Sequence, residues 1–154
     1  MRAVARGGTW AGLCALIAIA GCGGPTEPGV EVRADEAWVA VGVAAYEVDG
    51  ARDGDRTRVE VVYDLDDGSQ LHLELLVFFN PRPVLEAGTW RLESGDPAGG
   101  PTPETGSVLA ESLRFTGGQN EGPSLGGRFR LDGSEGPRFR VVMPLRPVRQ
   151  PRWP

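Results

Sequence analysis

Residues 58–79 read RVEVVYDL-DDGS-QLHLELLVFF. Two runs rich in β-branched and aromatic residues flank a four-residue joint holding Asp67-Gly68. Alternation of apolar and polar residues marks a half-buried strand, and Asp-Gly between two such runs marks a hairpin. Val59, Val61, Tyr63, Leu71, Leu73 and Leu75 then share an inner face. Arg58, Glu60, His72 and Glu74 face outwards. A helix places every third or fourth residue on one face, so it cannot gather these side chains.

The same grammar recurs along the chain. Residues 88–92 (GTWRL) and 107–115 (SVLAESLRF) read as strands, the second with room for a bend. Residues 125–131 and 138–143 read as a second hairpin across 132–137. Residues 37–48 (AWVAVGVAAYEV) fit either a strand, from the alternation of Val39, Val41 and Val43, or a helix opened by Asp35-Glu36. Residues 49–56 read as a charged turn, 80–87 as a Pro-broken connection and 93–106 as a loop. Gly and Pro together make up 36 of 154 residues, about twice the usual share, which suits many turns. Short alternating strands between turn clusters predict an all-β fold: one antiparallel β-sandwich or a partly open barrel of about seven strands.

The N-terminal residues follow another logic. Arg2 and Arg6 precede the apolar run 11–20 (AGLCALIAIA), and no acid appears before Glu27. That run is about half of the roughly 20 residues a spanning helix needs. A positive start, a short apolar stretch and a small-residue exit mark a secretory signal peptide. The exit, Ile19-Ala20-Gly21-Cys22, resembles the lipobox of bacterial lipoproteins. The resemblance implies diacylglyceryl transfer to the Cys22 sulfur, cleavage before Cys22, and acylation of the new amine. One acyl chain anchors only marginally, and two or three hold stably. Gly23 after the cysteine, in place of Asp, favours the outer membrane within that family.

The expected organisation is therefore a signal peptide over 1–21 and a flexible tether over 22–29 carrying lipidated Cys22. A β-rich domain over 30–147 and a basic, Pro-rich tail over 148–154 follow. The stretches GTWRL, SLRFTGG and GGRFRLDG also resemble small β-rich envelope lipoproteins of bacteria. That likeness implies fold and location on the periplasmic or cell-surface side, and no activity.

Cysteine usage narrows the chemistry. The chain has two, Cys14 in the apolar run and Cys22. Once Cys14 is removed, neither a disulfide framework nor a thiolate metal cluster can form. Charge is uneven: residues 22–124 hold 7 arginines and 19 acids, whereas 125–154 hold 7 arginines and 2 acids. An acidic body with a basic end does not fit nucleic-acid binding.

Several motifs invite a catalytic or binding role. Gly122-Pro123-Ser124-Leu125-Gly126 matches G-x-S-x-G, but that motif needs a strand-to-helix turn and a histidine later in the chain. His72, the one histidine, comes earlier, so a hydrolase built on Ser124 is a minor alternative. His72 with Glu74 is a poor metal site, since zinc takes three or four ligands. The acids of 49–55 and 64–68, Asp64, Asp66 and Asp67 among them, do not follow a calcium-loop pattern. Trp38, Trp90, Phe115, Phe129 and Phe139 read as core; an exposed Trp38 or Trp90 would instead suit a glycan-binding module.

The last hairpin is the most unusual. Phe129, Leu131, Phe139, Val141 and Met143 point inwards, so Arg128, Arg130, Arg138 and Arg140 crowd one outer face. Like charges opposite one another are unfavourable. Either Glu60, Glu74 or Glu111 on a neighbouring strand neutralises them, or they meet an anionic envelope component or an acidic protein. Arg146, Arg149 and Arg152 would extend such a patch. No catalytic residue, metal ligand or cofactor site is assigned. The expected function is a non-catalytic envelope lipoprotein that binds or scaffolds at the membrane surface.

Overall fold

The computed structural model describes residues 26–79, 82–95, 103–116 and 123–149. The lipobox 19–22 and Gly122 of the G-x-S-x-G match lie outside them. The described residues form nine strands and no helix: β1 (Gly29–Ala34), β2 (Ala37–Val41), β3 (Val43–Asp53), β4 (Arg56–Leu65), β5 (Gln70–Phe79), β6 (Pro83–Glu93), β7 (Glu104–Thr116), β8 (Ser124–Gly133) and β9 (Gly136–Pro147). They pair antiparallel in one sheet of order β2-β1-β9-β8-β7-β6-β5-β4-β3. The sheet curls into a partly open barrel, and the described residues form no second sheet as a sandwich would need.

The β4–β5 hairpin forms as its alternation dictates. Its register runs unbroken from Arg56↔Phe78 to Asp64↔Gln70. The joint closes with Gly68 N–H donating to the Leu65 carbonyl at 2.9 Å. Gly68 takes the left-handed backbone (φ 83°) that glycine adopts without steric cost. Val59, Val61, Tyr63, Leu71, Leu73 and Leu75 are all buried, and Phe129, Leu131, Phe139, Val141 and Met143 meet them from β8 and β9. A barrel of about this strand number has an interior that side chains alone can fill. The Tyr63 hydroxyl crosses that interior to donate to the Val142 carbonyl at 3.1 Å.

The curl has a local cause. β2 and β3 are the two edges of the sheet, yet only Gly42 separates them in the chain. Residues 37–53 thus form one extended stretch bent at Gly42, whose halves serve opposite edges. The Gly42 carbonyl accepts from Asp66 N–H at 3.0 Å, and a Cβ here would run into the Asp66 carboxylate. This settles 37–48 as strand.

Several expectations need correction. The described residues form nine strands, not about seven. β1 was not foreseen, β3 runs through the supposed turn at 49–53, and β6 includes most of the supposed connection at 83–87. The expected tail does not fray at its start. Val148 is buried against Gly50, and Arg149 makes a parallel bridge to Asp49 on β3. Gly50 N–H donates to the Arg149 carbonyl at 2.9 Å, because β3 otherwise leaves its edge amides unpaired there.

Candidate functional site

The outer face of β8 and β9 carries the four arginines, and Arg130 lies directly opposite Arg140. Three of the four are neutralised within the fold. Arg130 makes a two-pronged contact with Asp132 on its own strand, at 2.9 and 3.1 Å. That carboxylate holds the Arg130 guanidinium above its ordinary pKa. Arg138 reaches Glu104 at the start of β7, at 3.0 and 3.4 Å. Arg140 lies 3.7 Å from Glu111 and stacks over the Trp38 ring at 4.4 Å.

Backbone irregularities make these meetings possible. The β7–β8 register slips between Ala110 and Ser112, which sets Glu111 aside as an extra residue. The β8–β9 register slips between Leu131 and Asp132, which leaves Arg138 outside the Arg130–Arg140 row. Bulges of this kind re-aim side chains. Of the three acids expected from sequence to pair with the arginines, only Glu111 does so. Glu60 and Glu74 stand opposite each other on β4 and β5, across the sheet from the arginine hairpin.

Arg128 differs. Its backbone N–H donates to Ser112 Oγ at 3.1 Å, but its guanidinium has no ion pair among the described residues. It lines an outer cleft of about 410 Å³ with Arg114 of β7, Arg146 of β9, Leu145 and Thr26. Among the described residues no acid lines this cleft. A second outer cleft, of about 680 Å³, mixes Arg33 and Arg138 with Glu104 and Glu135. Reasoning from the sequence missed Arg114. Its signal was the alternation Leu113-Arg114-Phe115, which puts the arginine outwards beside β8.

The remaining candidates lie apart. Ser124 opens β8, and His72 sits on β5, three strands away in the sheet order. Three strand spacings amount to roughly 14 Å, far beyond a hydrogen bond. His72 faces outwards, although only 13% of its side chain is exposed, and lies 3.9 Å from Glu60 and 3.6 Å from Glu93. Asp67 accepts from the Ser69 backbone N–H at 2.9 Å and from its hydroxyl, which together hold its carboxyl below the usual aspartate range. Among the described residues no three of His, Cys, Asp and Glu gather as metal ligands.

Trp90 is buried, edge-on to Phe139, with its indole N–H on the Asp132 carbonyl at 3.0 Å. Trp38 is not core. It faces outwards beneath Arg140 and Arg33. Compared with protein-family models, curated proteins and solved structures, the chain matches none.

Proposed function

We propose that the chain is a lipid-anchored, non-catalytic module that binds or scaffolds at a membrane surface outside the cytoplasm, in the outer membrane by preference. The observation that carries this reading is the lipobox-like Ile19-Ala20-Gly21-Cys22 a few residues ahead of a domain whose interior is packed with side chains. Such a domain offers its polar groups on the outside, where an anchored partner or surface meets them. The separation of Ser124 from His72 gives a hydrolase no support. A glycan platform needs an open ring face; Trp90 is buried, and the outward-facing Trp38 has Arg140 and Arg33 over its ring.

The test compares the native chain with Cys22→Ser in a bacterial host. The native chain should pellet with membranes and carry diacylglyceryl mass on its N-terminal peptide. Cys22→Ser should carry no lipid. A native chain recovered soluble with unmodified Cys22 would overturn the reading. Ester hydrolysis by the purified protein that disappears in Ser124→Ala would overturn its non-catalytic part.

A further inference from the structure

We infer that the cleft lined by Arg114, Arg128 and Arg146 is a docking site for anionic lipid headgroups, which seats the domain on the bilayer that holds its anchor. The inference deepens the proposed function and rests on the anchor at Cys22. Three observations carry it.

The first is charge. Adjacent strands β7 and β8 each turn one arginine side chain outwards at this cleft, and Arg146 of β9 also lines it, in a chain of net charge −5. The guanidinium groups of Arg114 and Arg128 have no acid or acceptor among the described residues, whereas Arg146, opposite the inward Leu125, sends its guanidinium over the inner-face Tyr46 ring at 5.8 Å. Arginine forks suit phosphate oxygens, and the acidic β3–β5 face would be repelled by the same surface.

The second is the apolar part of the lining. Leu145 presents it at 41% exposure, while Met143 and Pro144 beneath it are buried. An apolar patch rimmed by arginines matches the boundary between headgroups and acyl chains.

The third is position. Thr26 lines this cleft, and Cys22 precedes Thr26 by four residues. Four residues span at most about 14 Å, so an acylated Cys22 keeps the cleft close to the headgroups.

The full chain is expressed in a bacterial host with Leu145→Cys as the site of a fluorophore; Cys22, once lipidated, offers no competing thiol. Glu74→Cys on the β4–β5 face is the reference label. Both are also made with Arg114→Gln, Arg128→Gln and Arg146→Gln together. Each protein is incorporated into phosphatidylcholine vesicles bearing a nitroxide-lipid quencher, with or without phosphatidylglycerol.

Quenching at 145 should exceed that at 74 several-fold in phosphatidylglycerol vesicles. It should fall to the reference level in the triple variant, in phosphatidylcholine alone, and in high salt. Equal quenching at both positions, or quenching at 145 that survives the triple substitution, overturns the inference. If the triple variant does not fold, Arg114→Gln and Arg128→Gln singly carry the same readout.

The mass of the N-terminal peptide tests the anchor separately. If Cys22 proves unmodified, the anchor reading fails by itself, and flotation with the same vesicles tests the cleft. Each arginine near an anionic surface is worth roughly fivefold in partitioning, so the triple variant should float at least about tenfold less. No flotation of the native chain, or no difference between the two, overturns it.

Discussion

The β4–β5 and β8–β9 hairpins obey the same alternation and bury their inner faces in the same core, yet their outer faces end differently. β4–β5 pairs without a slip, so its outward residues meet in fixed rows, and Glu60 is left facing Glu74. β9 carries an extra residue at each of two slips, and the neighbouring β7 carries Glu111 as a third. Those irregularities bring Glu111 and Glu104 to the arginines. Alternation decides which face a side chain occupies. Bulges decide which neighbour it meets.

The comparison predicts a series of effects, the largest being in the shared core. Phe129→Ala and Leu73→Ala remove fully buried side chains from different hairpins. Each should cost about 3–5 kcal/mol, and both should shift one common urea transition. Two transitions moving independently would break the view that the hairpins share a core.

A smaller effect separates two tyrosines that pack at 5.0 Å between ring centres. Tyr63→Phe loses its hydrogen bond to Val142 and should cost about 1 kcal/mol. The Tyr46 hydroxyl is buried with no partner among the described residues, so Tyr46→Phe should be close to neutral in stability. Burial raises the pKa of both phenols. The unfolded chain therefore loses these protons first, and stability should fall as the pH rises past the ordinary tyrosine value of about 10. Denaturation curves on the alkaline side should flatten in either Phe variant.

Next comes the contrast in outer charge. Glu74→Arg should relieve the facing Glu60 and gain about half a kcal/mol at low salt, fading as salt is added. Glu104→Gln leaves Arg138 without its carboxylate; both groups are about half exposed, so the loss should stay under about 1 kcal/mol. A larger loss in urea titrations would mean that the arginine face is held together by its ion pairs.

The smallest effect belongs to the β4–β5 joint. Asp67 titrates below its ordinary range because Ser69 donates to it. Its contribution is present above the ordinary aspartate value and is lost as the pH falls through the lowered one. Ser69→Ala should make the acid limb of the stability curve slightly shallower, as read from thermal midpoints at successive pH values.

The inner face was legible wherever two neighbouring strands alternate strictly. Every residue assigned inwards on 58–75 and 129–143 is buried. β1 was hidden because GVEVRA is short and follows a Gly- and Pro-rich segment. The first half of β6 was hidden because Pro83 opens it and Ala87-Gly88 interrupts its apolar pattern, so only 88–92 read as strand. Residues 37–48 resisted assignment because their alanines suit a helix as well, and only the pairing of their halves with β1 and β4 makes them strand. The crowding of the arginines was legible, but the identity of their partners was not. Glu60 and Glu104 look alike in sequence, and only the sheet order puts Glu104 two strands from β9 and Glu60 five strands from it.

The bridge from Arg149 to Asp49 has a consequence for self-association. Exposed strand edges recruit further strands, and proteins confined to a plane meet one another often. Here β2 offers only five residues along its outer edge, and the middle of β3 is already occupied by 148–149. The chain thus acts as its own stopper against edge-to-edge polymerisation. Truncation after Pro147 would pull that stopper and empty the slot that Val148 fills.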